Sequence, residues 1–132
     1  MVKADVLAFI GTFLGKPNVG DTPGNRGQCV GLIELWCDAN GTPHIPGNAV
    51  DLLGDADAKH YDKVANGPHN FPPAGAIICW DGSWGGGFGH TAVVVAASPM
   101  QVVVFEQNDP EGAGVLVGLH DYSGVAGWFV VS

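Results

Sequence analysis

The sequence predicts a single α+β domain in which N-terminal helices pack on a C-terminal antiparallel sheet of about five strands. Three observations carry that prediction. Helical spacing of apolar residues is confined to the N-terminal part, before Asn40-Gly41. From Ala76 onward the texture changes to β-branched and aromatic runs bounded by Gly and Pro. The chain has 132 residues, 46% of them apolar, enough for one hydrophobic core and too few for two. Helices and strands that separate along the chain argue against a doubly wound βαβ arrangement.

Residues 2 to 14 place Val6, Phe9, Ile10, Phe13 and Leu14 at spacings of three and four, a helix with one core-facing stripe, and Gly15 and Pro17 stop it. Lys16 to Gly27 is rich in Gly and Pro and reads as a loop. A second helix opens at Cys29, carries apolar residues at 30, 32, 33, 35 and 36, and ends by Asn40-Gly41. Between Thr42 and Pro73 the signals weaken: Asn48 caps a short helix through Leu53, and the remainder reads as irregular. Strands are predicted over 76–80, 90–97, 101–108, 115–119 and 127–131. No internal repeat is present.

The formal charge is −8, and all five basic residues precede position 64 while five acids follow it. Such a surface repels phosphate backbones, which excludes nucleic acid as a partner. No apolar run approaches the roughly 20 residues of a membrane-spanning helix, and Met1 to Leu14 lacks the features of a signal peptide. Three cysteines cannot all pair, so the chain is not a disulfide scaffold. Cys29 and Cys37 sit eight positions apart on one predicted helix, about 12 Å, beyond the reach of a disulfide, so any bridge would involve Cys79.

Three placements along the chain point to thiol chemistry. Cys29 follows a Gly-rich loop and opens a helix, where unpaired backbone N–H groups and the positive end of the helix dipole favour a thiolate. His90 follows the loop 81–89 and begins a strand with a wholly apolar interior, so it is placed to reach a cleft. Glu106 and Asn108 share one face of the strand 101–108. A three-residue hairpin loop at Ser98-Pro99-Met100 pairs Ala97 with Gln101, which brings His90 opposite Asn108 and sets Glu106 on the diagonal. A nucleophilic sulfur, a base and a group that fixes the imidazole are the parts of a thiol hydrolase. Gln28, next to the sulfur, offers an amide for an oxyanion, as does the backbone N–H of Cys29. Trp84 in the glycine-rich loop offers a stacking surface for substrate.

Gly27-Gln28-Cys29-Val30-Gly31-Leu32 with Trp36, Gly89-His90-Thr91-Ala92-Val93-Val94, and Phe105-Glu106-Gln107-Asn108 together resemble the CHAP domain, the cysteine- and histidine-dependent amidohydrolase/peptidase family. The resemblance spans about residues 5 to 131. It implies a papain-like fold and hydrolysis of amide bonds in bacterial peptidoglycan, as in phage endolysins. Matched by position, Cys29 would be the nucleophile, His90 the base, Glu106 the third member and Asn108 an auxiliary polar group. Many members carry Asp two positions after the cysteine, and some use it to bind calcium; here Gly31 stands there, with Arg26 in the loop and Asp21 the acid nearby.

No cofactor or metal is therefore expected. Asp55-Ala-Asp57-Ala-Lys59 starts like an EF-hand, but His60 replaces the required Gly and Asn66 the closing Glu. Zinc is disfavoured because no paired C-x-x-C spacing exists. His44, His60, His69 and His120 read as surface residues without partners. The sequence is expected to form one catalytic domain over residues 1–132, a monomer acting on peptidoglycan as an endopeptidase or N-acetylmuramoyl-L-alanine amidase, made in a host cytoplasm without an export signal and acting at the cell wall, either alone or within a longer chain that carries a wall-binding domain. The alternatives are an NlpC-type or papain-like amidase on another small peptide, and a wall-peptide-binding domain without activity.

Overall fold

The computed structural model describes residues 4–132. Three helices precede an antiparallel sheet: α1 (Val6–Phe13), α2 (Cys29–Asn40) and α3 (Ala49–Asp55), then β1 (Tyr61–Ala65), β2 (Ile77–Trp80), β3 (His90–Ala97), β4 (Val102–Glu106), β5 (Leu116–His120) and β6 (Val125–Val131). The six strands lie in the order β1-β6-β2-β3-β4-β5, and every neighbouring pair is antiparallel. The fold is the α+β arrangement read from the sequence, with one strand more than the five expected.

Each helix is set by local chemistry. The Asp5 carboxylate accepts from the Leu7 N–H at 2.9 Å and starts α1. Phe9 is buried in the core with Ile10 and Phe13 packed against it, but Leu14 already lies outside the helix and is exposed, so it is not part of the stripe. Val2 and Lys3, the first residues of the predicted helix, lie outside the described residues. Gly41, in the left-handed region at φ 70°, ends α2, a conformation that disfavours a side chain. The Asp51 carboxylate accepts from the Asn48 N–H at 3.0 Å and fixes the start of α3.

The helices cover one face of the sheet. Leu32, Ile33, Trp36 and Cys37 of α2 and Leu52 of α3 pack with Phe9 against Ile77, Cys79, Val93, Phe105 and Phe129. The other face carries its own buried set, Ile78, Trp80, Ala92, Val94, Val102, Val104 and Trp128. Strands β2 and β3 are buried on both faces along most of their length, which explains why they read as continuous apolar runs rather than alternations.

Two expectations change in the sheet. The segment Tyr61–Ala65 is a strand paired with β6, not irregular chain. The β3–β4 turn holds four residues, Ser98 to Gln101, because Ala97 pairs with Val102 rather than with Gln101. A bulge between Val94 and Ala96 absorbs the extra residue, so that Val93 faces Phe105 and the expected alignment at the far end of the hairpin is restored.

Candidate active site

The N-terminus of α2 is held in place from behind by a side chain of the sheet. The carboxamide of Gln107, fully buried, accepts from the Val19 N–H at 2.9 Å and donates to the Val19 and Gln28 carbonyls at 3.0 and 2.7 Å. It therefore ties the loop before Cys29 to the end of β4. Gly31 lets the first turn of α2 approach that loop, since a Cβ there would collide with the carbonyls of Val19 and Asn25. Cys29 ends up half-buried at the helix start, with Gln28 exposed beside it.

His90 opens β3 and is almost fully buried. Its Nε2–H donates to Glu106 Oε1 at 2.7 Å, and Cys29 borders the same cleft near enough to act on the ring's pKa. Because Nε2 is engaged by the carboxylate, Nδ1 is the nitrogen left for the sulfur. Burial alone would lower the His90 pKa, but the hydrogen bonds with Cys29 and Glu106 and the charges behind them outweigh it and raise the value to about 9. An imidazole of this kind stays protonated at neutral pH.

Glu106, itself buried, has a second imidazole partner that the sequence reading left on the surface. His120 Nε2 lies 3.0 and 2.9 Å from the two Glu106 oxygens and 3.5 Å from Asp109 Oδ2. The residue forms the last position of β5 and is only partly exposed. The indole of Trp84 stacks on the His90 ring at 5.7 Å with an interplanar angle of 18°, and both Trp80 and Trp84 meet His120 edge-on at 5.2 Å. Trp84 is thus an anchor of the loop 81–89 as well as a wall of the cleft.

A cleft of about 820 Å³ runs over these groups, lined by Gln28, Cys29, His90 and Asn108, with Trp84 and Phe88 on one side and Asp109 and Glu111 on another. All the residues singled out from the sequence border it except Glu106, which lies behind His90. Asn108, however, does not meet the imidazole: it has left the strand, at φ 67°, and its carboxamide oxygen accepts from the Gly112 N–H at 2.6 Å. No hydrogen bond joins it to His90 among the described residues.

The remaining thiols are buried and free. Burial pushes the Cys37 thiol up, against its hydrogen bond with Tyr61, and pushes Cys79 up to about 12. His44 also has partners: Nε2 lies 2.8 Å from Asp38 and 3.2 Å from Asp21, and Nδ1 3.4 Å from Glu34. Asp21, Asp38 and His44 are close enough to hold a cation together, so Asp21 is less isolated than the sequence implies. The calcium position of the resemblance is another matter, because the carbonyls that press on Gly31 leave no room for an aspartate there. His60 pairs with Asp57 at 2.8 Å.

A helix-borne thiol facing an imidazole from a separate hairpin, with a carboxylate behind the ring, defines the cysteine–histidine class of α+β proteins. The CHAP domain profile matches residues 19–108, and the chain belongs to the CHAP domain family. No curated protein matches the sequence. Among solved structures the fold is similar to the wild type endolysin LysIME-EF1, with a TM-score of 0.77 at 21% identity over 95% of this chain and 62% of that one. It is also similar to Ly7917, solved with the hydrolyzing product of MDP (TM-score 0.70, 15% identity, 96% and 63% covered). PlyC gives a TM-score of 0.71 at 23% identity, covering 99% of this chain and 36% of that one. The chain thus spans less than two thirds of the length of each of these structures.

Proposed function

We propose that this chain is the catalytic domain of a peptidoglycan hydrolase, which cuts an amide bond of cell-wall peptide through an acyl-enzyme on Cys29. The observation that carries the reading is Cys29 and His90 lining one cleft, with Glu106 bonded to the imidazole from behind. Membership of the CHAP domain family, the likeness to a named endolysin, and the hydrolysis product present with Ly7917 support the substrate class.

In this mechanism the Cys29 thiolate attacks the scissile carbonyl carbon, and the imidazolium of His90 stands beside it. The oxyanion that forms is stabilised by the backbone N–H of Cys29, one of the unpaired donors at a helix start, and by the exposed amide of Gln28, each worth about 3 kcal/mol. His90 then gives its proton to the leaving amine as the C–N bond breaks, which leaves a thioester. Water attacks the thioester while His90 takes the water's proton and returns it to the departing sulfur, releasing the carboxylic acid. Glu106 keeps the ring oriented, and Asn108 shapes the cleft as an auxiliary polar group. Trp84 and Phe88 contact the substrate along the aromatic wall.

The test is turnover of purified cell walls followed by mass spectrometry of the released muropeptides. Cys29→Ala and His90→Ala are expected to release none while each remains folded by circular dichroism. Wall cleavage at the parent rate by Cys29→Ala would overturn the mechanism. The products identify the bond cut, whether within the stem peptide or between muramic acid and alanine.

A further inference from the structure

His120 is absent from the mechanism above, yet it bonds the carboxylate that orients His90. We propose that His120 is a positioning residue, which holds both oxygens of Glu106 so that one carboxylate oxygen stays aimed at His90. The inference rests on the reading of Cys29 and His90 as the reacting pair and adds a fourth member to it.

The geometry is specific. Glu106 is 1% exposed, so its carboxylate has no solvent to complete its hydrogen bonds. Oε1 receives His90 at 2.7 Å and His120 at 3.0 Å; Oε2 receives His120 at 2.9 Å. Without His120, Oε2 would be a buried, unpartnered carboxylate oxygen, and the group would rotate or draw in water. The strand leaves room for this arrangement: a Cβ at Gly118 would overlap Glu106 Oε2 and lie 3.3 Å from His120 Nε2.

The groups that face His120 are few. Glu106 comes from β4, Asp109 from the loop after it at 3.5 Å, and the His90 ring from β3 at 6.4 Å, while Trp80 and Trp84 supply uncharged ring contacts. A carboxylate accepts only, so Nε2 of each imidazole carries a proton toward it. The two histidines are thereby distinguished: one bridges sulfur and carboxylate, and the other anchors the carboxylate alone.

The experiment compares the pH dependence of wall turnover for the parent, His120→Ala and His120→Gln, together with NMR titration of His90 in each. Gln retains an N–H donor for the carboxylate; Ala does not. His120→Ala is expected to lower kcat about tenfold with KM nearly unchanged, the scale of one charge-assisted hydrogen bond. The alkaline limb and the His90 titration should both move toward neutral pH. His120→Gln should recover most of each. An unchanged profile and an unchanged His90 titration in folded His120→Ala would overturn the proposal. If the alanine variant fails to fold, His120→Gln decides alone: loss of the parent profile in a folded protein counts against a donor role. Parent turnover by Cys29→Ala, by contrast, would remove the nucleophile while leaving the His90 titration to report on His120.

Discussion

Replacing Gln107 should uncouple the start of α2 from the sheet, and the structure sets the size of the effect. Three hydrogen bonds of 2.7 to 3.0 Å join this one fully buried carboxamide to Val19 and Gln28. Each contributes about 1 kcal/mol net, so Gln107→Met, which keeps the volume and removes the polar atoms, should lose about 3 kcal/mol. For a domain of this size that lowers Tm by about 10 °C. The functional loss should be larger than the stability loss implies, because a shift of about 1 Å between sulfur and imidazole reduces turnover about a hundredfold. Calorimetry reads the first quantity. The second-order rate of iodoacetamide at Cys29, measured well below the melting range, reads the second. A Tm within about 2 °C of the parent, with an unaltered alkylation rate, would refute the idea that Gln107 holds the helix start in place.

Two further predictions follow from the charge states. His90 titrates at about 9 when folded, above the ordinary value of 6.5, so its contribution to stability is complete below pH 6.5 and lost as pH rises through 9. Denaturant unfolding between pH 6 and 10 should therefore show a fall on the order of 3 kcal/mol, reduced in Cys29→Ala because the sulfur is among the causes of the shift; an equal fall in both proteins would count against the Cys29–His90 contact. Iodoacetamide near neutral pH should label Cys29 long before Cys37 or Cys79, both about 1% exposed and both raised by burial, and peptide mapping that finds uniform labelling would contradict the buried placement of those two.

What the sequence made legible follows from how local each signal is. Helix α2 and its start at Cys29 are readable because the loop, the helix periodicity and Gly41 are all within a short stretch. The His90–Glu106 pairing was also accessible, since antiparallel hairpins convert sequence separation into register. Strand β1 was not: at the edge of the sheet, only Tyr61 of its five residues is buried, and Asp62 and Lys63 face solvent, so the segment has the texture of a loop. Gln107 carried a faint signal, as a large amide between Glu106 and Asn108 on the face where Phe105 packs inward. His120 had one too, because extending the predicted strand 115–119 by one residue places it on the same face as Gly118. What no local pattern could supply was that β5 lies beside β4, which is where its partner Glu106 sits.

The bulge at Val95 has a consequence for how such a domain can change. Turn length and bulge are a compensated pair: one residue gained in the connection between β3 and β4 is cancelled by one residue looped out of β3. Because Val94 pairs with Val104 and Ala96 with Val103, losing Val95 or one turn residue leaves every other pairing in place, and with it the face of β3 from which His90 meets Glu106. The hairpin can therefore shorten at either place on its own and still deliver the imidazole to its carboxylate.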